Sequence, residues 1–188
     1  MRYLLFGLTM ALLPSVALAS DDVPASLIAK LKADLEKPVT VIMLRAQNEQ
    51  HAKVTQAEID TLDKKWRAER EQQEQPLIAQ LMGNPMTSYV TRLAARSDGV
   101  IAEVFVMDDK GLNVGQSSVT SDYWQGDEAK YQKTYAVGPD AVFVDEIEVD
   151  KATGRRRRQV SFTLTDPATG EKLGAAAIDI NLDEIKRQ

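Results

Sequence analysis

The sequence predicts an α+β fold in which a five-stranded antiparallel sheet follows a long helical lead-in. Two observations carry this. Apolar residues recur at helical spacing through the first half of the chain, then give way after Ser97-Asp98-Gly99 to short β-branched runs with period-two alternation. The runs of the second half are mostly joined by turns of about five residues, which force antiparallel pairing. Helices first and strands after, in a chain of 188 residues, suit one α+β domain.

Residues 1–19 are set apart. Arg2 gives a positive start, residues 3–13 form an apolar run, and Ala17-Leu18-Ala19 is a small-x-small cleavage site before Ser20. This is the pattern of a secretory signal peptide, too short for a comfortable membrane span. The expectation is cleavage after Ala19 and a soluble, periplasmic protein; no later stretch approaches the length of a membrane helix. Residues 20–97 are then a helical segment packing on the sheet, and residues 98–188 the sheet itself.

In the helical half, Leu27, Ile28, Leu31 and Leu35 mark a first helix, and Pro38 interrupts it. A second run carries Val41, Ile42 and Leu44. Thr55 and Glu58 have the spacing of a capping box, and the helix they open bears Ile59, Leu62 and Trp66 on one face and dense charge on the others. Pro76 ends it or starts the next, Leu77, Ile78, Leu81 and Met82 make a short apolar face, and Gly83-Asn84-Pro85 breaks that. Residues 86–95 read as a further helix with Tyr89, Val90 and Leu93 inward.

In the second half, residues 100–107 are a buried strand, residues 108–111 a turn, and residues 112–117 the paired strand of a hairpin. An aromatic segment, irregular or helical, fills 120–135. Strands follow at 141–149, 155–165 and 172–180, with Val160, Phe162 and Leu164 alternating inward, and residues 181–188 suit a short terminal helix.

Composition excludes several functions. The chain has no cysteine, so it has no disulfide, thiolate nucleophile or thiolate metal site. Its formal charge of −5 argues against nucleic acid, because phosphate binding wants a basic surface. The nucleophile elbow, the phosphate loop and the zinc-protease helix motif are missing, so the chain reads as a non-enzyme without metal or cofactor. His51, the only histidine, reads as a surface residue.

Four pieces in order resemble the extracellular PAS-like sensor domains of the Cache or PDC family: residues 104–111 (VFVMDDKG), 121–128 (SDYWQGDE), 142–146 (VFVDE) and 174–181 (GAAAIDIN). The resemblance covers nearly half of the chain and implies a small ligand, usually an amino acid or short organic acid, held between the sheet and the crossing aromatic segment. It also implies a signalling partner. With no second apolar run, that partner would be a separate membrane-bound receptor, kinase or cyclase. Dimerisation through the first helix stays open.

The residues then sort by what they offer. Tyr123, Trp124, Tyr131 and Tyr135 supply aromatic walls with polar tips, against the alternative of plain packing on the sheet. Lys130 lies where related amino-acid-binding domains place a basic group for the ligand carboxylate; the alternative is a solvated lysine. Asp145 interrupts the alternation of Ala141, Phe143, Ile147 and Val149, and Asp179 breaks a run of small residues, so each needs a partner or a ligand amine. The four arginines at 155–158 point alternately to opposite faces; their functional reading is one pair entering the pocket region for an anion or partner contact, and cross-strand pairing with Glu146, Glu148 and Asp150 is their ordinary role. Two functions remain: a periplasmic ligand-binding sensor module, or a ligand-free interaction and scaffold protein of the same shape.

Overall fold

The computed structural model describes residues 23–151 and 153–185. The signal-peptide cleavage expected after Ala19 lies outside the described residues, as does the end of the expected terminal helix.

The helical half folds into α1 (Ala25–Leu35), α2 (Pro38–Gln50), α3 (Gln56–Glu69), α4 (Pro76–Met82) and α5 (Pro85–Ala95). Prolines open three of these, because the first helical position needs no N–H and wants the fixed φ that proline supplies. The capping box at α3 forms in full: Thr55 N–H donates to Glu58 Oε2 at 2.8 Å, and Thr55 accepts from Glu58 N–H. Asn84 caps α5 by accepting from Thr87 N–H at 2.8 Å.

The strands are β1 (Ile101–Met107), β2 (Asn113–Gln116), β3 (Val142–Val149), β4 (Arg156–Thr165) and β5 (Lys172–Asn181), with short helices α6 (Ala129–Gln132) and α7 (Leu182–Ile185). They form one antiparallel sheet in the order β2-β1-β5-β4-β3. The central strand β5 is therefore last in sequence, and β3 and β2 are the edges.

One face of the sheet carries the main core. Val104, Val106, Val160, Phe162, Leu164, Ile178 and Ile180 point there and pack on Leu31 and Leu35 of α1, Leu44 of α2, and Met86 and Val90 of α5. The expected inward alternation at 160, 162 and 164 is thus what β4 does. A second cluster joins Ile59 and Trp66 of α3, Ile78 and Leu81 of α4, Leu112 and Tyr123. Helix α3 hence packs on α4 and the aromatic segment, where the sequence suggested the sheet itself. The opposite sheet face carries Phe105, Met107, Ala175 and Ala177, and α6 lies over it through Tyr131. Small residues on that face of β5 leave room for the ring.

Candidate ligand-binding recess

The face under α6 changes character along its length. At one end it is apolar, covered by Tyr131 and Tyr135, whose rings stack at 5.4 Å between centroids. Burial pushes both phenols upward in pKa, so they stay neutral, and Tyr131 Oη donates to the Asp109 carbonyl at 2.6 Å. At the other end the same face is charged. A recess of about 170 Å³ opens there, lined by Glu128 and Lys130 at the start of α6, Asp145, Glu146 and Glu148 on β3, Arg157 and Gln159 on β4, and Asp179 on β5.

Strand geometry explains why these groups meet. Alternation sends Val160 and Phe162 into the core and so sends Arg157, Gln159 and Ser161 to the other face. On β5, Ile178 and Ile180 point to the core and Asp179 points away. On β3 a one-residue bulge falls between the pairs Val144–Val160 and Ile147–Arg158. It breaks the simple alternation read from the sequence. Asp145, Glu146 and Glu148 all line the recess, whereas Ile147 and Val149 are exposed.

The electrostatics are unbalanced. Lys130 pairs with Glu128 at 2.9 Å, lies 5.1 Å from the centre of the Phe105 ring, and donates to Gln125 Oε1 at 3.2 Å. Arg157 reaches Asp150 at 3.4 Å through one terminal nitrogen, yet its Nε is buried without a hydrogen-bond partner. Asp179 accepts from Gln159 Nε2 at 2.8 Å. Asp145, Glu146, Glu148 and Asp179 form no ion pair among the described residues. Two residues further along the same face of β4, Ser161 Oγ is also buried and unpartnered. Glu103 on β1, paired across the ladder with Asp179, has its carboxyl raised above the ordinary value, chiefly by burial and also by Asp179, while Ser118, Lys130 and Arg157 oppose the rise. Buried polar groups without partners are few in native proteins.

Of the candidates read from the sequence, Lys130, Asp145 and Asp179 come together at this recess, and Tyr131 and Tyr135 cover the adjoining part of the same face. Tyr123 and Trp124 do not line it. Tyr123 stacks on Trp66 at 5.4 Å, on the helical side, and Trp124 packs beside that cluster with its Nε1 donating to the Lys110 carbonyl at 2.8 Å. The aromatic segment therefore divides, its first two rings serving the helical core and its later two the sheet face. Arg157 belongs to the arginine run weighed for the pocket region, whereas Gln159, Glu128 and Glu103 were missed. The signal for Gln159 was present, since the positions alternating with Val160 and Phe162 are polar.

Two further corrections concern charge. Arg157 pairs with Asp150 as expected, but Arg156 binds Asp183 in α7 with two bonds of 2.8 and 3.0 Å, and Arg158 donates to the Asp145 carbonyl. His51 is not a surface residue. It is 8% exposed and its Nδ1 lies 2.8 Å from the fully buried Asp108 carboxylate. That contact spans 57 residues, which no local pattern foretells. No group of three or more His, Asp or Glu among the described residues has the arrangement of a metal site.

No family profile matches the sequence, and no curated protein does. Several solved structures are similar. The ligand-binding domain of the Pseudomonas aeruginosa PAO1 amino-acid chemoreceptor PctC, solved with GABA, is 18% identical over 86% of this chain and 61% of that one, with a TM-score of 0.41. The sensory domain of the Campylobacter jejuni chemoreceptor Tlp3 is 10% identical over 86% and 65%, with a TM-score of 0.42. The sensor domain of the V. cholerae histidine kinase DctB is 13% identical over 86% and 58%, with a TM-score of 0.38. The chain spans about three fifths of the length of these domains. A five-stranded antiparallel sheet, a long helical lead-in and a crossing segment over one face are all in place. This is the α+β architecture that the sequence predicts. Among the described residues, no helix is long and apolar enough to cross a membrane.

Proposed function

We propose that the chain is a periplasmic sensor module that binds an amino acid or a small organic acid in the recess under α6 and reports to a membrane-bound receptor, kinase or cyclase. The observation that carries this is the meeting of charge of both signs at one small recess, with carboxylates in excess. Arg157, with its buried open Nε, and Lys130 face Asp145 and Asp179 across it. An α-amino acid supplies both complements, a carboxylate for the basic pair and an ammonium for the acidic one. The excess of carboxylates favours the amino acid over a dicarboxylic acid within that class. Tyr131 and Tyr135 shape the adjoining apolar end. The ligand of PctC, GABA, carries the same two groups.

The experiment is thermal unfolding with the standard amino acids and a set of short organic acids. A ligand at a hundred times its Kd stabilises the native state by about 2.7 kcal/mol, which raises Tm by roughly 5–10 °C for a chain of this size. The shift is expected to vanish in Asp179→Ala and Lys130→Ala. Absence of any shift across the whole set, or a shift that survives both variants, refutes the reading.

The interaction-protein reading has one observation in its favour: Trp124 packs beside the apolar cluster of Ile59, Leu81 and Leu112, as a ligand-free core requires. It predicts a partner whose capture is lost on charge reversal at Arg156 and Arg158 and kept in Asp179→Ala.

A further inference from the structure

The helical side of the sheet holds a second recess, of about 190 Å³, unrelated to the charged one. Helix α2 and its C-terminal cap supply Gln47, Gln50 and His51, α4 supplies Leu77 and Gln80, and Tyr123 lies against them. No charged side chain lines it.

Its polar groups are held from behind. Asp108 accepts four hydrogen bonds: from Lys110 and Leu112 N–H at 2.9 Å each, from Gln47 Nε2 at 2.9 Å, and from His51 Nδ1 at 2.8 Å. Asp108 is the acceptor of the His51 contact, so His51 Nδ1 donates to it and Nε2 is the ring's other polar atom. Gln47 donates through Nε2 to both Asp108 and the Asn113 carbonyl, and its Oε1 has no donor among the described residues. The Tyr123 hydroxyl, in a side chain only 6% exposed, makes no hydrogen bond among them either. Opposite them, Met43 and Leu77 give an apolar wall.

We propose that this recess binds a small uncharged polyhydroxy compound, a tetritol or a pentose. A hydroxyl both donates and accepts, so one such ligand answers His51 Nε2, the acceptor at Gln47 Oε1 and the amides of Gln50 and Gln80. Its C–H edges lie on Met43 and Leu77. An ionised ligand finds no counter-ion in the lining and loses its hydration without replacement. The volume is that of about six waters at roughly 30 Å³ each, which suits a ligand of that size.

The test is calorimetric titration of the protein with erythritol, ribitol, ribose and xylose, and with ribonate and an amino-pentose as charged counterparts. Saturable binding of at least one neutral probe is expected, with the charged counterparts at least ten-fold weaker. Gln80 is exposed, and Gln80→Trp fills the recess and is expected to abolish binding; Gln50→Trp, also at an exposed position, serves if circular dichroism shows the first variant unfolded. Asp179→Ala, on the opposite face, is expected to leave polyol binding unchanged while it removes amino-acid binding. No saturable binding of any neutral probe, equal binding of the charged ones, or binding that persists in a folded filled variant overturns the proposal.

Discussion

Asp63 ties the helical half to the aromatic segment, and its removal has a calculable cost. The side chain is buried on α3. Its Oδ1 accepts from the backbone N–H groups of Tyr123 at 2.9 Å and Trp124 at 3.1 Å, and its Oδ2 from Arg67 Nε at 2.9 Å. In Asp63→Ala the Tyr123 N–H is buried without a partner, at a cost of about 1–3 kcal/mol. The Trp124 N–H is only partly buried and recovers some of its loss through water. Arg67 is 58% exposed and keeps Asp122 at 2.9 Å, so the lost ion pair contributes under about 1 kcal/mol. The sum is about 3 kcal/mol, or a fall in Tm of roughly 6–12 °C. Asp63→Asn keeps an acceptor at Oδ1 and is expected to lose less than half of that. Urea unfolding followed by tryptophan fluorescence is the assay, because Trp66 and Trp124 lie on the two sides of the contact. An alanine variant within about 1 kcal/mol of the parent, or an asparagine variant as damaged as the alanine one, refutes the reasoning.

Two further outcomes follow from the sheet. The native state raises the Glu103 carboxyl above its ordinary value, so it binds that proton more tightly than the unfolded chain does. The group's contribution to stability is then complete below a pH of about 4.3 and is lost as pH rises through the elevated value. Glu103→Gln is expected to be more stable than the parent at neutral pH and no more stable in acid; urea midpoints at the two pH values test this, and an equal gain at both refutes it. At Gly174 an added Cβ meets the Met107 carbonyl oxygen at 2.1 Å and Leu44 Cδ2 at 2.9 Å, so β1 and β5 must part. Gly174→Ala is expected to cost more than about 3 kcal/mol, whereas Gly138→Ala, with nothing within 4 Å of the new atom, is expected to be nearly neutral; similar melting temperatures for the two contradict this.

What the sequence made legible was local. Thr55 with Glu58, the prolines at 38 and 76, and the alternation at Val160, Phe162 and Leu164 each act over a few residues, and each is where the pattern put it. What escaped was set by contacts between distant segments. The β3 bulge depends on how Val144 and Ile147 sit against β4, and it alone brings Glu146 and Glu148 beside Asp145. The split of the aromatic segment depends on Trp66, which claims Tyr123 from 57 positions upstream. His51 looked polar and isolated because its partner, Asp108, looked like an ordinary turn residue. Lys130, Asp145 and Asp179 were picked as charges out of keeping with their surroundings, and charges of that kind converge only when a site or a pair holds them.

The turn between β1 and β2 is tied on every side. Asp108 is held by Gln47 and His51, the Asp109 N–H donates to Asn48 and its carbonyl accepts from Tyr131, and the Lys110 carbonyl accepts from Trp124. Gly111, at a φ of 84°, has the Gly126 backbone 2.6 Å from where a Cβ would stand. The turn between β3 and β4 is built from a similar number of residues, yet Gly154 has open space around it. The two hairpins thus offer opposite prospects for a grafted reporter. A fluorescent tag spliced near Gly154 rides on a free tip, whereas the same splice at 108–111 cuts the knot that joins α2, the crossing segment and α6.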